Sequence, residues 1–470
     1  MDDRLRAAGI AELRGLYADG TLSPVEFTSE TLRHIDKADE RLNAFVTVAH
    51  ESALAQATDA EALVGAIGPA AWDRYPLLGV PVSVKDLTPV KDLRTTRGSL
   101  AHAEWVPGFD APAVARLREA GAVIIGKTNT SEFGWSAATT NRVAGTTRNP
   151  WCPELTPGGS SGGAAVAVAS GMGVAATGTD GAGSIRIPAA FCGVVGFKPS
   201  FGRVPYAPVS VENLSHLGPL TRTVDDAALL YRILAGPDPA DPLSLPPEPD
   251  APATGRLRIG WLPGLGLPEA EPEILEIARS AVAALTGAGH AVEEVTARFD
   301  DPYADLVTIL ASAEAAGHTA EHERLREQLD QDRLVVVEHG LGLTAKELMC
   351  AYQAKDRLWQ RVRGWFDGFD VLAMPTVPVP PFAAGRHQPE SVVDKGAPSW
   401  LAWAPTAYTF NLTGQPALSV PAGSTAAGVP VGIQFVGGWR ADQVVLHAGR
   451  ELERVRPWRS SYGLLADTIS

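Results

Sequence analysis

Thr156-Pro157-Gly158-Gly159-Ser160-Ser161-Gly162-Gly163-Ala164-Ala165-Val166-Ala167, with Thr179-Asp180-Gly181-Ala182-Gly183-Ser184-Ile185-Arg186-Ile187-Pro188 a little further on, is the stretch on which the fold turns. A Gly/Ser run is ordinarily a flexible linker. This one leads straight into Ala164-Ala165-Val166-Ala167-Val168-Ala169, whose small side chains suit a buried helix pressed against other backbone. Linkers do not open buried helices. Ser160 and Ser161 then fall at a helix N-terminus, where unpaired N–H groups favour negative charge. In the second half, Gly181 and Gly183 let several backbone N–H groups point into one concavity before Ser184, as an oxyanion hole requires. Ser184 is thus a candidate nucleophile in need of a base.

No local motif places a histidine for that role, and the 10 histidines are scattered. Lys85 is the alternative. In Val80-Pro81-Val82-Ser83-Val84-Lys85 the valines share one face of a strand and Ser83 and Lys85 the other, so Lys85 ends a buried strand. Desolvation there makes a neutral amine available. A lysine so placed is more often ion-paired or snorkelling. Its company is what matters here.

Further strands are expected at residues 122–127, 173–177, 258–261, 371–374, 417–420 and 431–435, separated by turns and helices, which gives a mixed α/β sheet. Upstream, residues 1–65 read as a helical arm. Ile10, Leu13 and Leu16 have helix spacing, Gly20 stops that helix, and Ser23-Pro24-Val25-Glu26 sets a capping box for the next, which carries Val25, Leu32 and Ile35. The core runs over 77–235. The Pro/Asp-rich residues 237–256 read as a surface crossing, because the short strands on either side need one another to complete a sheet. Residues 300–369 read as helical and charged, with 321–327 a solvated face, and 300–400 as a variable region around the substrate. The whole chain, 1–470, is expected to be one catalytic unit.

The chain has 470 residues, 45% hydrophobic and 20% charged, with 47 Gly and 37 Pro. Disordered chains lack that apolar content, and long coiled coils lack that Gly and Pro. With 40 basic against 54 acidic residues the net charge is −14, which argues against nucleic acid or an anionic membrane as partner. No charge-free apolar run is long enough to span a bilayer. Cys152, Cys192 and Cys350 have neither metal-ligand nor disulfide spacing and are expected to be buried small residues in a reducing compartment. No signal-peptide core follows Met1, so cytoplasmic residence is the expectation.

Taken together, Gly158-Gly159-Ser160-Ser161-Gly162-Gly163, residues 180–188 and Pro81-Val82-Ser83-Val84-Lys85-Asp86 resemble the amidase signature family. The likeness extends through Gly126-Lys127-Thr128-Asn129, Arg148-Asn149-Pro150-Trp151, residues 191–199, Gly218-Pro219-Leu220 and Asn411-Leu412-Thr413-Gly414-Gln415-Pro416; only residues 237–399 lack clear matches. The resemblance implies a single mixed-sheet α/β/α fold with a helical N-terminal arm and a variable helical insertion. It implies a triad of Ser184 as nucleophile, Ser160, preceded by a cis peptide, as bridge, and Lys85 as base. The N–H groups of Gly181, Ala182, Gly183 and Ser184 would bind the oxyanion. Ser161, Thr179, Asp180 and Arg186 would support the site, the last two as an ion pair. Many members have two glycines where this chain has Ala182-Gly183; alanine keeps its N–H but excludes positive φ.

Such enzymes cut carboxylic amides through an acyl-enzyme, with no metal or organic cofactor. The aromatic residues Phe133, Trp135, Trp400, Trp403 and Tyr408 point to a wide apolar pocket for bulky amides, anilides or aryl carbamates. The expected partner is a small amide or carbamate, and the protein a monomer or homodimer. The rival within the family is the glutaminase subunit of an amidotransferase, which needs a carboxylate and an arginine in the pocket; residues 400–410 hold no acid. From another class, His318-Thr319-Ala320-Glu321-His322 has the spacing of an inverted zinc-protease motif without an evident third ligand. A non-enzymatic subunit would be favoured by a broken triad, and all three positions are occupied.

Overall fold

The computed structural model describes residues 3–246, 248, 253–265, 269–296, 300–392 and 398–465. Parts of the 237–256 crossing and of the 300–400 region lie outside these residues. Among the described residues there are thirteen strands: β1 Phe45–Val48, β2 Pro81–Lys85, β3 Val123–Thr128, β4 Thr140–Asn141, β5 Gly145–Thr146, β6 Ala175–Asp180, β7 Val195–Lys198, β8 His216–Thr221, β9 Arg258–Trp261, β10 Ala291–Glu294, β11 Val371–Pro375, β12 Ala417–Ser424 and β13 Pro430–Gly437. β4 and β5 pair alone, and the other eleven form one sheet in the order β1-β3-β2-β6-β8-β7-β12-β13-β11-β9-β10. β3, β2 and β6 run parallel, as do β11, β9 and β10, while β8, β7, β12 and β13 are joined by antiparallel pairs. Strands on both sides of the 237–256 crossing therefore complete the same mixed sheet.

Period-two alternation gives this sheet a core on each face. Along β11, Val371 and Ala373 join one hydrophobic cluster, and Leu372 and Met374 the other. The helices Pro272–Gly287 and Asp442–Val455 belong with the first, and Pro405–Leu412 with the second. Each buried Val, Leu or Phe in these layers contributes about 1.5–3 kcal/mol.

The N-terminal arm is not wholly helical. Helices Ile10–Ala18, Pro24–Leu42 and His50–Ile67 are interrupted by β1, which pairs antiparallel with β3. Phe-Val-Thr-Val is a β-prone run whose preference is realised only because a sheet edge is there to receive it. The capping box forms: the Ser23 side chain accepts from the Glu26 N–H, and Glu26 accepts from the Ser23 N–H. Of the cysteines only Cys192 is buried; Cys152 is partly exposed, and Cys350 sits on the solvent side of the helix Ala345–Gly364. No helix among the described residues is long and apolar enough to cross a membrane.

Candidate active site

Lys85 ends β2 and is 0% exposed. Its Nζ lies 2.7 Å from Ser160 Oγ, 2.9 Å from Ser161 Oγ and 2.9 Å from Thr179 Oγ1. Ser161 and Thr179 thus touch the lysine itself rather than a more distant shell. The Ser161 hydroxyl donates to the Thr179 carbonyl and accepts from the Thr179 N–H, which leaves it only one further acceptor site for Lys85. Burial pushes the Lys85 ammonium well below the lysine range, a shift that the Asp180 charge only partly opposes. In the neutral amine, two N–H bonds serve Ser161 and Thr179, and the lone pair is left for the Ser160 hydroxyl.

Ser160 follows a cis Gly159–Ser160 peptide, and Ser161 caps the wholly buried helix Gly162–Ala169. The small residues there have a physical reason. A Cβ on Gly163 would lie 2.4 Å from the Asn129 nitrogen and 2.5 Å from the Ala44 carbonyl oxygen. The helix therefore packs against backbone, and Ser160 is held at the foot of β2.

Asp180, at the end of β6, organises the turn that carries Ser184. Its carboxylate accepts from the N–H groups of Gly183 (2.7 Å) and Ile185 (3.1 Å), and forms a bidentate pair with Arg186, both contacts at 3.0 Å. Asn411 donates to the same carboxylate at 2.9 Å and accepts from Arg186, while Gln434 accepts from the other arm of the guanidinium. Burial would raise the Asp180 carboxyl, but Arg186, Lys198 and Asn411 outweigh it and hold the group well below the usual carboxylate range. Gly183 is consequently not an oxyanion donor: its N–H is spent on Asp180. The N–H groups of Gly181, Ala182 and Ser184 have no acceptor among the described residues. Ala182 has no positive φ, so its Cβ costs nothing. Gly183 has φ +117, and a Cβ there would meet Ala407 Cβ at 2.7 Å, so the glycine is required one position later.

Ser160, Thr179, Gly181, Ala182 and Ser184 line one cavity of about 330 Å³, which also admits Phe133, Trp135 and Trp400. Trp400 donates its indole N–H to the Trp135 carbonyl at 2.9 Å, and the two rings lie 5.9 Å apart. Trp403 and Tyr408, expected in the pocket, are core residues instead. Trp403 stacks on Phe191, and Tyr408 is 0% exposed with its hydroxyl donating to Asp301. Trp400 and Trp403 lie in the turn before the helix Pro405–Leu412, and of the three aromatic residues only Trp400 lines the cavity.

The cavity is not purely apolar. Glu212, Glu314, Arg97 and Arg333 line it, from segments that no local motif marked. Tyr206 does so too. The expectation of a pocket without acidic residues fails because the wall comes from residues far from 400–410. Of these groups, Arg333 Nε donates to Glu314 at 2.7 Å and lies over the Phe133 ring.

The two histidines of the zinc-like spacing do not share a helix. His318 ends Tyr303–Gly317, Thr319 caps a new short helix, Ala320–Arg324, and His322 completes that capping box. His322 turns inward to the cavity, away from the otherwise charged surface of 321–327, and its ring contacts Phe133 at 5.3 Å. Among the described residues, the His/Cys/Asp/Glu group whose ligand atoms lie together is Asp330, Asp332 and His387, which includes neither.

Comparison with known proteins agrees on one relationship. Residues 26–446 match the family model described as Amidase. An acylamidase of Rhodococcus erythropolis is 35% identical, with 97% of each chain covered. A glutamyl-tRNA(Gln) amidotransferase subunit from Roseiflexus sp. (strain RS-1) is also 35% identical, over 96% of this chain and 97% of the other. Among solved structures, a bacterial aryl acylamidase of the amidase signature enzymes superposes with a TM-score of 0.88 at 29% identity, covering 98% of both chains. A 6-aminohexanoate cyclic dimer hydrolase bound to substrate gives 0.87 at 28% identity, over 97% of this chain and 98% of that one.

Proposed function

The chain belongs to the amidase family, hydrolases of the C–N bond of amides, and on that premise we propose that it cleaves bulky or aromatic acyl amides through an acyl-enzyme on Ser184. The observation that carries this reading is the buried Lys85–Ser160 contact of 2.7 Å at the floor of a cavity that Ser160 and Ser184 both line. Neutral Lys85 takes the Ser160 hydroxyl proton as Ser160 takes that of Ser184. The Ser184 Oγ bonds to the carbonyl carbon, and the π pair moves to oxygen, where the N–H groups of Gly181, Ala182 and Ser184 receive it. Each such donor is worth about 3 kcal/mol in a well-studied protease. The C–N bond then breaks, and the proton held by Lys85 returns through Ser160 to the departing amine. Water enters by the same relay and releases the acid. Trp135, Trp400, Leu310 and Leu401 supply an apolar wall for an aryl or branched group. The same chemistry reaches aryl carbamates and esters, whose carbonyls are attacked identically.

The test is a panel of a nitroanilide, an aryl carbamate and free glutamine, run on wild type and Ser184→Ala. Anilide or carbamate turnover should exceed glutamine turnover and vanish in the variant. A specific observation favours the rival glutaminase reading: Arg97, Arg333, Glu212 and Glu314 provide the charges an amino acid would need, and the amidotransferase relative is 35% identical. Preference for glutamine over every anilide would replace the first reading with the second.

A further inference from the structure

Four charged side chains line the cavity beside Ser160 and Ser184, and three of them have partners. Arg333 pairs with Glu314 at 2.7 Å and lies 3.8 Å from Glu132, and Glu212 accepts from the Ser215 hydroxyl. Around them, Glu132 accepts from Ser99 and the Asp330 N–H, and Asp86 from Thr96, with Lys127 at 3.6 Å. Arg97 is different. Among the described residues its guanidinium has no hydrogen bond and no ion pair, and its Nε is buried without a partner. The nearby imidazoles add no like charge, since burial lowers the pKa of both His102, to about 4, and His322.

The guanidinium is also held in place by the backbone. Arg97 has φ +56 and Phe133 φ +51, both left-handed conformations that side-chain-bearing residues rarely adopt. Two hydrogen bonds lock them: Arg97 N–H donates to the Asp86 carbonyl at 3.1 Å, and Phe133 N–H donates to the Arg97 carbonyl at 2.8 Å. Phe133 carries Arg97 at 5.4 Å and Arg333 at 4.5 Å from its ring centroid. Asp86 directly follows Lys85, so one short segment fixes both the lysine and the arginine. Arg97 further lines a side cleft of about 60 Å³ with Tyr206 and Pro208, which opens room beside it. The Arg97 Nε is buried and unbonded, and the guanidinium, which the Glu314 and Asp86 carboxylates reach only at longer range, gains by meeting an anion directly. The planar fork of arginine matches a carboxylate.

We propose that this cavity selects amides bearing a carboxylate, on the acyl or the amine half, and that Arg97 is the residue that binds it. The inference rests on the amide-hydrolase reading and narrows its substrate class to acidic amides. Neutral anilides would still reach Ser184, without the anchoring contact.

The experiment uses matched pairs of substrates on the full chain. Mono-4-nitroanilides of succinic, glutaric and adipic acid are compared with the nitroanilides of butyric, pentanoic and hexanoic acid; N-acyl 4-aminobenzoates are compared with the corresponding acyl anilides. The quantity read is the ratio of kcat/KM, carboxylated over neutral, which cancels any general loss of activity. In at least one series wild type should favour the acid, and Arg97→Gln should lower that ratio about 10- to 100-fold, the range of a charge-assisted contact, with the loss in KM. Arg97→Lys, which keeps the charge but not the fork, should recover part of it. A ratio that changes less than fivefold in Arg97→Gln in both series overturns the proposal. If Arg97→Gln does not fold, the Arg97→Lys ratio decides, and no change from wild type overturns it. Wild type that hydrolyses neutral amides but disfavours every acid refutes the Arg97 assignment alone. Wild type that hydrolyses no amide at all brings down the underlying reading with it.

Discussion

The floor and the wall of the cavity are built by different means. The floor, comprising Lys85, Ser160, Ser161, Thr179 and the Asp180 turn, comes from three short segments at the ends of β2 and β6 and the start of one buried helix. Its polar groups are bonded to one another, and Lys85, Asp180 and Arg186 are each 0% exposed. The wall gathers Arg97, Phe133, Glu212, Glu314, Arg333 and Trp400 from segments spread over some three hundred residues, and among the described residues it leaves the Arg97 guanidinium without a hydrogen bond or ion pair. A closed network suits chemistry that is the same for every substrate. An open one can take part in choosing the substrate.

The strongest way to break this division is to remove Ser184. Ser184→Ala should lose at least about 10⁴-fold in kcat, as loss of a serine nucleophile does elsewhere, and should form no covalent adduct detectable by mass spectrometry with an activated carbamate. Residual activity near wild type would move the nucleophile out of the floor.

Lys85→Met is expected to cost about 10²- to 10⁴-fold, the range of a positioned base. The wild-type pH profile should carry its signature. Because the amine must be neutral, kcat/KM should fall as pH drops through the lowered Lys85 value and stay level above it. Stability has a definite sign too. Between that lowered value and the ordinary 10.5, the unfolded chain holds a proton that the folded one does not, so folding gains as pH rises through the window. Lys85→Met lacks this dependence, so its stability relative to wild type should decline with rising pH in chemical denaturation.

Arg186→Met should act on folding. It leaves the Asp180 carboxylate buried with its main countercharge gone, a change that costs about 3–5 kcal/mol. Urea denaturation measures it, and a loss below about 1 kcal/mol, within the range of a single ordinary hydrogen bond, would mean that Asn411 and Lys198 suffice to hold the turn.

The smallest pair of effects separates wall from core. Trp403→Ala should destabilise by about 3–5 kcal/mol, as large-to-small changes in a packed core do. Trp400→Ala should instead raise KM for aryl amides by about tenfold, equivalent to about 1.4 kcal/mol of contact. If both changed stability alike and KM not at all, the aromatic wall would be core after all.

These contrasts also explain what was legible in the chain. The floor could be read because its Gly/Ser run leads straight into a small-residue helix, as a linker does not, and because that run, residues 180–188 and the Lys85 block together resemble the amidase signature family. The Asn411 block was visible as a motif, but its role in bonding Asp180 and Arg186 depends on a helix 231 residues away in sequence reaching the turn. β1 was missed because four residues of strand between two long helices gain their partner only from β3. The zinc-like spacing misled because Thr319 ends one helix and starts another, which spacing alone does not reveal.

By itself, the sequence determined the mixed α/β fold and the necessity of small residues around Ser160 and Ser184, because both follow from local backbone requirements and periodicity; the grouping of Lys85, Ser160 and Ser184 came from the resemblance to the amidase signature family. The tertiary structure decided which N–H groups remain free for an oxyanion, which tryptophans face the cavity, and that Arg97 stands there with no hydrogen bond or ion pair among the described residues. Those are matters of orientation and partnership between distant segments. Side-chain burial is set only when the sheet closes and every donor has found, or failed to find, its acceptor.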